Sequence, residues 1–252
     1  MSTALVTGAS TGIGLSFARI LATRGHDLVI VARHRDRLEA LAIELAAMSS
    51  TPISVEVLAA DLAAPEQLQR VVDRLSDVTR PVDICVNNAG MGVREPFGRS
   101  AVEDEQLMID VMVTAVMRLS HAIVPGMVAR GTGAIINVSS IAGWMPTGTY
   151  SAIKAWATTF SESLHNEVKQ DGVSVIAVCP GYTRTEFHQR AGMTMSSVPS
   201  WMWLDADEVV AQALKDARKG KSWSVAGRKY KAMGWAARVL PRSVVAKVTA
   251  AR

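Results

Sequence analysis

The sequence predicts an α/β fold: one doubly wound domain, with a parallel sheet of about seven strands covered by helices on both faces. Three observations carry this. Short apolar runs alternate with helical periodicity over residues 3–179. Runs such as Leu28-Val29-Ile30-Val31-Ala32 are almost continuously apolar, as strands buried on both faces must be. The first run, Ala4-Leu5-Val6, stops at a glycine-rich turn that opens directly into a helix. With 252 residues, 49% of them hydrophobic, and a mean hydropathy of +0.18, the chain has material for one large core and little scope for long disorder.

The elements follow in order. The turn is Thr7-Gly8-Ala9-Ser10-Thr11-Gly12-Ile13-Gly14, and the helix after it spaces Ile13, Phe17, Ile20 and Leu21 along one face, with Gly25 as its stop. Glycines allow a tight turn and let backbone approach a pyrophosphate, which then rests on the positive end of the helix. The second strand ends at Arg33-His34-Arg35. At that strand tip an acid would bond a free ribose 2′-hydroxyl, whereas a guanidinium matches a 2′-phosphate, so Arg33 predicts NADP(H) over NAD(H). A helix is expected over 35–49, a strand over 53–58 ending near Asp61-Leu62, and a strand over 82–86 running into Asn87-Asn88-Ala89-Gly90. Further elements are expected over 101–130 (helix), 134–139 (strand), 149–170 (helix) and 173–179 (strand). Asp205 is expected to cap a helix reaching about 219, before a last strand over 222–226.

Composition excludes several classes. A formal net charge of +4, spread through the chain, is too little to argue for nucleic-acid binding. Cys85 and Cys179 each fall inside an apolar run and lack metal-ligand spacing, so both read as buried structural thiols with no metal site. A first strand starting at Thr3 leaves no room for a signal peptide, and no run of eighteen or more apolar residues predicts a spanning helix, so a cytoplasmic protein is expected.

Tyr150 and Lys154 stand four residues apart at the start of a predicted helix and so share one face. Alone, such a pair is an ordinary surface contact. An ammonium beside a phenol favours the phenolate, and a tyrosine so lowered becomes a usable proton donor or acceptor near neutral pH.

Taken together, Thr7-Gly8-x-x-x-Gly12-x-Gly14, Asn87-Asn88-Ala89-Gly90, Ser139-Ser140, Tyr150-x-x-x-Lys154 and Pro180-Gly181 resemble, in order and approximate spacing, the motifs of the short-chain dehydrogenases/reductases. The resemblance covers roughly residues 3 to 190. It implies a Rossmann-type domain and hydride transfer between NAD(P)H and a carbonyl or alcohol. Carried over by residue, Tyr150 is the general acid/base, and Lys154 lowers its pKa and holds the nicotinamide ribose. Ser140 fixes the substrate oxygen, although the interval to Tyr150 is short and Ser139 stays open as the alternative. Gly8, Ser10, Thr11, Gly12, Ile13 and Gly14 line the pyrophosphate turn. Asp61 and Leu62 bracket the adenine, Asn87, Ala89 and Gly90 lie under its ribose, and Pro180, Gly181 and Thr183 hold the nicotinamide end. Asn87 has a second reading, as a brace between strands. The family is also expected to form a homodimer or homotetramer. One position departs from the pattern: Met112 stands where many members carry an asparagine that orders a relay water, and a thioether cannot do that. A dinucleotide-binding or regulatory protein with weak turnover is therefore the alternative function.

A substrate lid is expected at about 184–204, where Phe187, Met193, Met195, Val198, Trp201, Met202 and Trp203 make an adaptable apolar surface to which Trp144 adds. A hydrophobic ketone or alcohol, including long-chain acyl compounds, is the expected substrate. Domain limits are set at 1–227 for the dinucleotide-binding domain and 228–252 for a basic amphipathic extension. Its Arg228, Lys229, Lys231, Arg238, Arg242, Lys247 and Arg252 alternate with apolar residues, a pattern that suits either peripheral membrane contact or a cover over the subunit edge.

Overall fold

The computed structural model describes residues 2–192, 195 and 198–240. Seven parallel strands make one sheet: β1 (Thr3–Thr7), β2 (Asp27–Ala32), β3 (Val55–Ala59), β4 (Ile84–Asn87), β5 (Gly133–Val138), β6 (Val173–Val178) and β7 (Trp223–Ser224), in the order β3-β2-β1-β4-β5-β6-β7. The order reverses between β1 and β4, so a crevice opens beyond their carboxyl ends. In register, Leu5 faces Val29 on one side and Cys85 on the other.

The pleat sends alternate residues of each strand to opposite faces. Ala4 and Val6 of β1 join a core with Phe17 and Leu21 of helix α1 (Gly12–Thr23), Leu38 of α2 (Arg35–Met48) and, from the last third of the chain, Val209, Val210 and Tyr230. Leu5 joins the other core, with Leu68 and Val71 of α3 (Pro65–Ser76) and Leu119, Ile123 and Met127 of the long helix. Cys85 and Cys179 are both buried and in no disulfide, one in each core.

The long helix is not uniform. α4 (Val102–Ile109) passes through a π-helical turn, Asp110–Thr114, into α5 (Ala115–Arg130). Single π turns mark functional sites, and this one turns Met112 inward to 2% exposure. The span Val102–Arg130 is long and apolar enough to cross a membrane, unlike the sequence reading, but Leu119, Ile123 and Met127 on its inner face belong to the core.

Three boundaries shift. β3 starts at Val55 rather than Ile53, because Pro52 has no N–H to give and Ser54 N–H is taken by Asp27 Oδ1 at 2.6 Å. β7 shrinks to two residues because only β6 pairs with it, and Gly227 (φ 79°) turns the chain into a helix soon after. α6 (Gly148–Val168) begins one residue early at Gly148, whose φ of 80° needs glycine. α8 (Ala206–Arg218) starts as expected, with the Asp205 carboxylate accepting from Asp207 N–H at 2.8 Å.

Beyond the short α7 (Phe187–Arg190) and α8, α9 (Arg228–Val239) packs on the sheet end. Tyr230 is fully buried in the same core as Leu204 and Val225. Met233, Trp235, Val239 and Leu240 face outward. Met193 of the expected lid and the basic residues Arg242, Lys247 and Arg252 lie outside the described residues.

Candidate active site

Parallel strands in one sheet end on one edge, so residues distant in sequence meet there. The turn after β1, Arg33 after β2, Asp61-Leu62 after β3, the Asn87–Gly90 segment after β4, Ser139-Ser140 after β5 and Pro180–Thr183 after β6 all border the crevice edge. Thr7 ties two of these loops. Its hydroxyl donates to Val86 O at 3.2 Å and accepts from Asn88 N–H at 2.9 Å and Ala89 N–H at 3.1 Å. The Asn88 amide donates to Thr7 O at 2.9 Å and Gly8 O at 3.3 Å, closing the turn from the other side.

The turn has the features a dinucleotide phosphate requires. Gly8 and Gly12 hold φ of 64° and 57°, and a Cβ on Gly14 would overlap Gly8 O. Thr11, at the N-cap of α1, makes no side-chain capping bond, and the first turn carries no acid, so its N–H groups and positive dipole face the crevice unneutralised. Arg33 is exposed and, among the described residues, pairs with no carboxylate, whereas Arg35 is held by Glu39 at 3.6 Å. The Asp61 carboxylate accepts from Ala63 N–H at 3.0 Å, and Leu62 is buried. Thr183 is buried, its hydroxyl donating to Gly181 O at 3.0 Å, and Pro180 O accepts from Ile141 N–H at 3.1 Å.

Asn87 is a brace. Its amide donates to Asn137 Oδ1 at 2.8 Å and Ser120 Oγ at 3.3 Å inside the sheet layer, and the Asn137 amide continues to Ser161 Oγ at 2.9 Å. Only its backbone borders the crevice. The side chain on the crevice side is that of Asn88, which the sequence reading passed over because adjacent asparagines look alike until the pleat separates them.

The two serines part in the same way. Ser139 is 2% exposed, and its Oγ lies 2.7 Å from Lys154 O and 2.8 Å from Thr158 Oγ1 in the seam between β5 and α6. Ser140 caps the 3-10 turn Ile141–Trp144, accepting from Ala142 N–H at 3.1 Å, and hydrogen-bonds Tyr150. Because Oγ already accepts from Ala142, its own proton is free to donate. Gly143 makes this possible despite the short interval: a Cβ there would lie 2.7 Å from Ala155 N, so only glycine lets the 3-10 turn rest on α6. Exchanging Ser140 for alanine should lower turnover by ~10²–10³-fold, as loss of an oxyanion-type donor does. Ser139→Ala should cost stability and leave turnover within about threefold, since it removes only buried hydrogen bonds near the seam. Steady-state rates and thermal melts of the two variants decide between them.

Lys154 is nearly buried, with Nζ donating to Val138 O at 2.7 Å and lying 5.6 Å from the Tyr150 ring centroid. Burial brings its ammonium down to about 8. Burial also pushes the Tyr150 phenol up to about 12, against the pull of the Ser140 hydroxyl. The net lowering expected for the tyrosine does not appear in the free protein, because burial dominates both groups. A consequence is testable. Below pH 8 the folded chain must hold a buried charge, and that cost disappears as pH rises from about 8 toward the ordinary 10.5. Relative to Lys154→Met, the wild-type protein should therefore gain stability over that window in urea unfolding. A constant difference from pH 7 to about 10 would show that the ammonium is not desolvated.

Met112 packs with Met108, Ile153 and Tyr150. Its sulfur accepts from Met91 N–H at 3.4 Å and stands 3.6 Å from where a Cβ on Gly90 would lie. An amide is absent here, and the acceptor in its place is already used.

The lid is aromatic. Phe187 lies 5.8 Å from the Tyr150 ring and 5.6 Å from His188, which stands edge-on to Trp203 at 5.3 Å. The loop is pinned where it leaves and returns, by Leu204 N–H to Tyr182 O (2.7 Å) and Arg184 N–H to Leu204 O (2.9 Å). Arg190 reaches Thr11 Oγ1 at 3.3 Å, joining lid to phosphate turn. Trp144, expected in the substrate wall, instead lies under Gly234 of α9, where a Cβ would be 2.6 Å from the indole.

A short chain dehydrogenase family profile matches residues 2–195. The chain is 30% identical over 229 residues to a ketoacyl reductase of a Nostoc species, covering 88% of this chain and 77% of that protein. Among solved structures, a short-chain dehydrogenase from Sphingobium yanoikuyae in complex with NADPH superimposes with a TM-score of 0.85 at 37% identity, covering 94% of each chain. A bulky-bulky ketone specific alcohol dehydrogenase from Comamonas testosteroni gives 0.81 at 31% identity, covering 94% of this chain and 92% of that one. The chain belongs to the short-chain dehydrogenase/reductase family and is a NAD(P)-dependent oxidoreductase acting on carbonyl or alcohol groups.

Proposed function

We propose that the protein is an NADP(H)-dependent reductase of bulky hydrophobic ketones, working on the matching secondary alcohols in reverse. The observation that carries this reading is the placement of Ser140, Tyr150 and Lys154 at one end of the crevice, under the Phe187 ring, with an unpaired Arg33 at the tip of β2. The Nostoc and Comamonas relatives, named for ketoacyl and bulky ketone substrates, support it.

NADP(H), when bound, supplies or takes up the hydride. The residues of this chain do the rest. Gly8, Ser10, Thr11, Gly12, Ile13 and Gly14 would hold the pyrophosphate at the N-terminus of α1. Arg33 would meet the 2′-phosphate. Asp61 and Leu62 would bracket the adenine, Ala89, Gly90 and the backbone of Asn87 would lie beneath its ribose, and Pro180, Gly181 and Thr183 would support the nicotinamide end. In reduction Tyr150 gives its phenolic proton to the carbonyl oxygen, Ser140 donates to the same oxygen as charge develops, and Lys154 stabilises the phenolate left behind.

The test is NADPH consumption with a panel of hydrophobic ketones, alongside Arg33→Asp. Wild type should prefer NADPH, and the variant should lose ~10–100-fold in kcat/KM for NADPH, the equivalent of one charge-assisted phosphate contact, while NADH turnover holds or improves. A wild-type preference for NADH, or for small polar aldehydes over hydrophobic ketones, overturns the assignment.

A further inference from the structure

One charged group at the site has no part in the chemistry above. Glu105 sits in the first turn of α4 and is 7% exposed, while its neighbours Glu103 and Asp104 point to solvent and suffice to complement the helix dipole. Its Oε1 accepts from Ser100 Oγ at 2.6 Å, which fixes the rotamer. Its Oε2 is buried and receives no hydrogen bond from any described residue. The same side chain lines a cavity of about 380 Å³ bounded also by Val93, Phe97 and Met108, by the charged Arg94 and Glu95, and by Tyr150. A buried carboxylate oxygen without a donor is costly, and native proteins leave few of them. Here one belongs to a side chain that lines a cavity shared with Tyr150.

We propose that Glu105 is a specificity residue whose Oε2 accepts a hydrogen bond from the substrate. The preferred ketone then has an apolar body, matched to Met108, Val93 and Phe97, and a hydroxyl or protonated amine remote from its carbonyl. This rests on the ketone-reductase reading and narrows it. The carboxylate makes no bond to the reacting atoms; it selects which molecule reaches Tyr150.

The experiment pairs each apolar ketone with counterparts carrying a terminal hydroxyl or a terminal amine, at saturating NADPH, for wild type, Glu105→Leu and Glu105→Gln. Wild type should favour a donor-bearing member by ~10–100-fold in kcat/KM, mainly through KM, as a hydrogen bond to a charged group warrants. Glu105→Leu should erase that preference and leave the plain ketones within about threefold. Glu105→Gln, which keeps an acceptor oxygen, should retain discrimination for the hydroxyl arm and lose it for the amine arm. An equal fall for all substrates in both variants, with melting temperature lowered or the pH profile moved, would assign Glu105 to folding or to proton supply and overturn the proposal. So would a wild type indifferent to the added donor. Tryptophan-fluorescence titration with the matching diols, amino alcohols and plain alcohols reads the same preference without turnover. Absence of ketone reduction would thus sink the parent reading, while equal binding of diols and plain alcohols would sink this one.

Discussion

Replacing Tyr150 with phenylalanine should lower ketone reduction by ~10²–10⁴-fold, the range lost with a general acid, and leave NADPH affinity nearly unchanged. The ring stays. It keeps its packing against Met108, Met112 and Ile153 and its contact with Phe187 at 5.8 Å. What goes is one hydroxyl, whose partner in the protein is Ser140. Losing that bond costs stability about 1 kcal/mol, so the variant should fold and bind cofactor. Because burial holds the phenol up at about 12, Tyr150 carries its proton throughout the neutral range in the free protein, the state reduction needs. Oxidation of an alcohol needs the phenolate, so alcohol oxidation should rise steeply with pH while ketone reduction does not. Single-turnover rates and NADPH fluorescence titration provide the check. Retention of more than about a tenth of wild-type reduction would remove Tyr150 from the proton-transfer role.

How far this site could be read from the chain alone depended on how local its parts are. The glycine turn and the Tyr150–Lys154 pair are set within a few residues by helix spacing and backbone conformation, so spacing identified them. Position on a pleat is less local. Ser139 and Ser140, like Asn87 and Asn88, are adjacent, and only the direction in which each strand end presents its side chains decides which bonds the layer and which faces the crevice. Electrostatic balance is no more local. An ammonium four residues from a phenol suggests a lowered pKa, but how deeply both would be buried is a property of the assembled site. Glu105 shows the limit most plainly. It stands among three consecutive acids in a helix start, and nothing in the run 103–105 distinguishes the one that turns inward.

The last third of the chain was the least legible, and it carries the second large effect. Among the basic residues from Arg228 onward, Tyr230 gives no periodic signal, yet it is fully buried. Its hydroxyl accepts from Tyr182 N–H at 3.2 Å and donates to Met202 O at 2.6 Å, so it clamps both ends of the segment that carries the lid. Its ring lies flush against Gly181, leaving no room there for a Cβ, which gives that glycine a packing role. Tyr230→Ala should therefore destabilise the protein by about 3–5 kcal/mol, as removal of a buried aromatic does, and raise KM for ketones more than it lowers kcat. Tyr230→Phe separates the two contributions. It keeps the ring, should lose about 1–3 kcal/mol with the hydroxyl, and should loosen the lid without emptying the core. Truncation after Gly227 should behave like the alanine variant or worse, since it removes the same ring. Urea unfolding with parallel kinetics reads all three. If Tyr230→Ala cost less than about 1 kcal/mol, α9 would be a peripheral appendage; a cost in the full range makes it a structural wall of the substrate site.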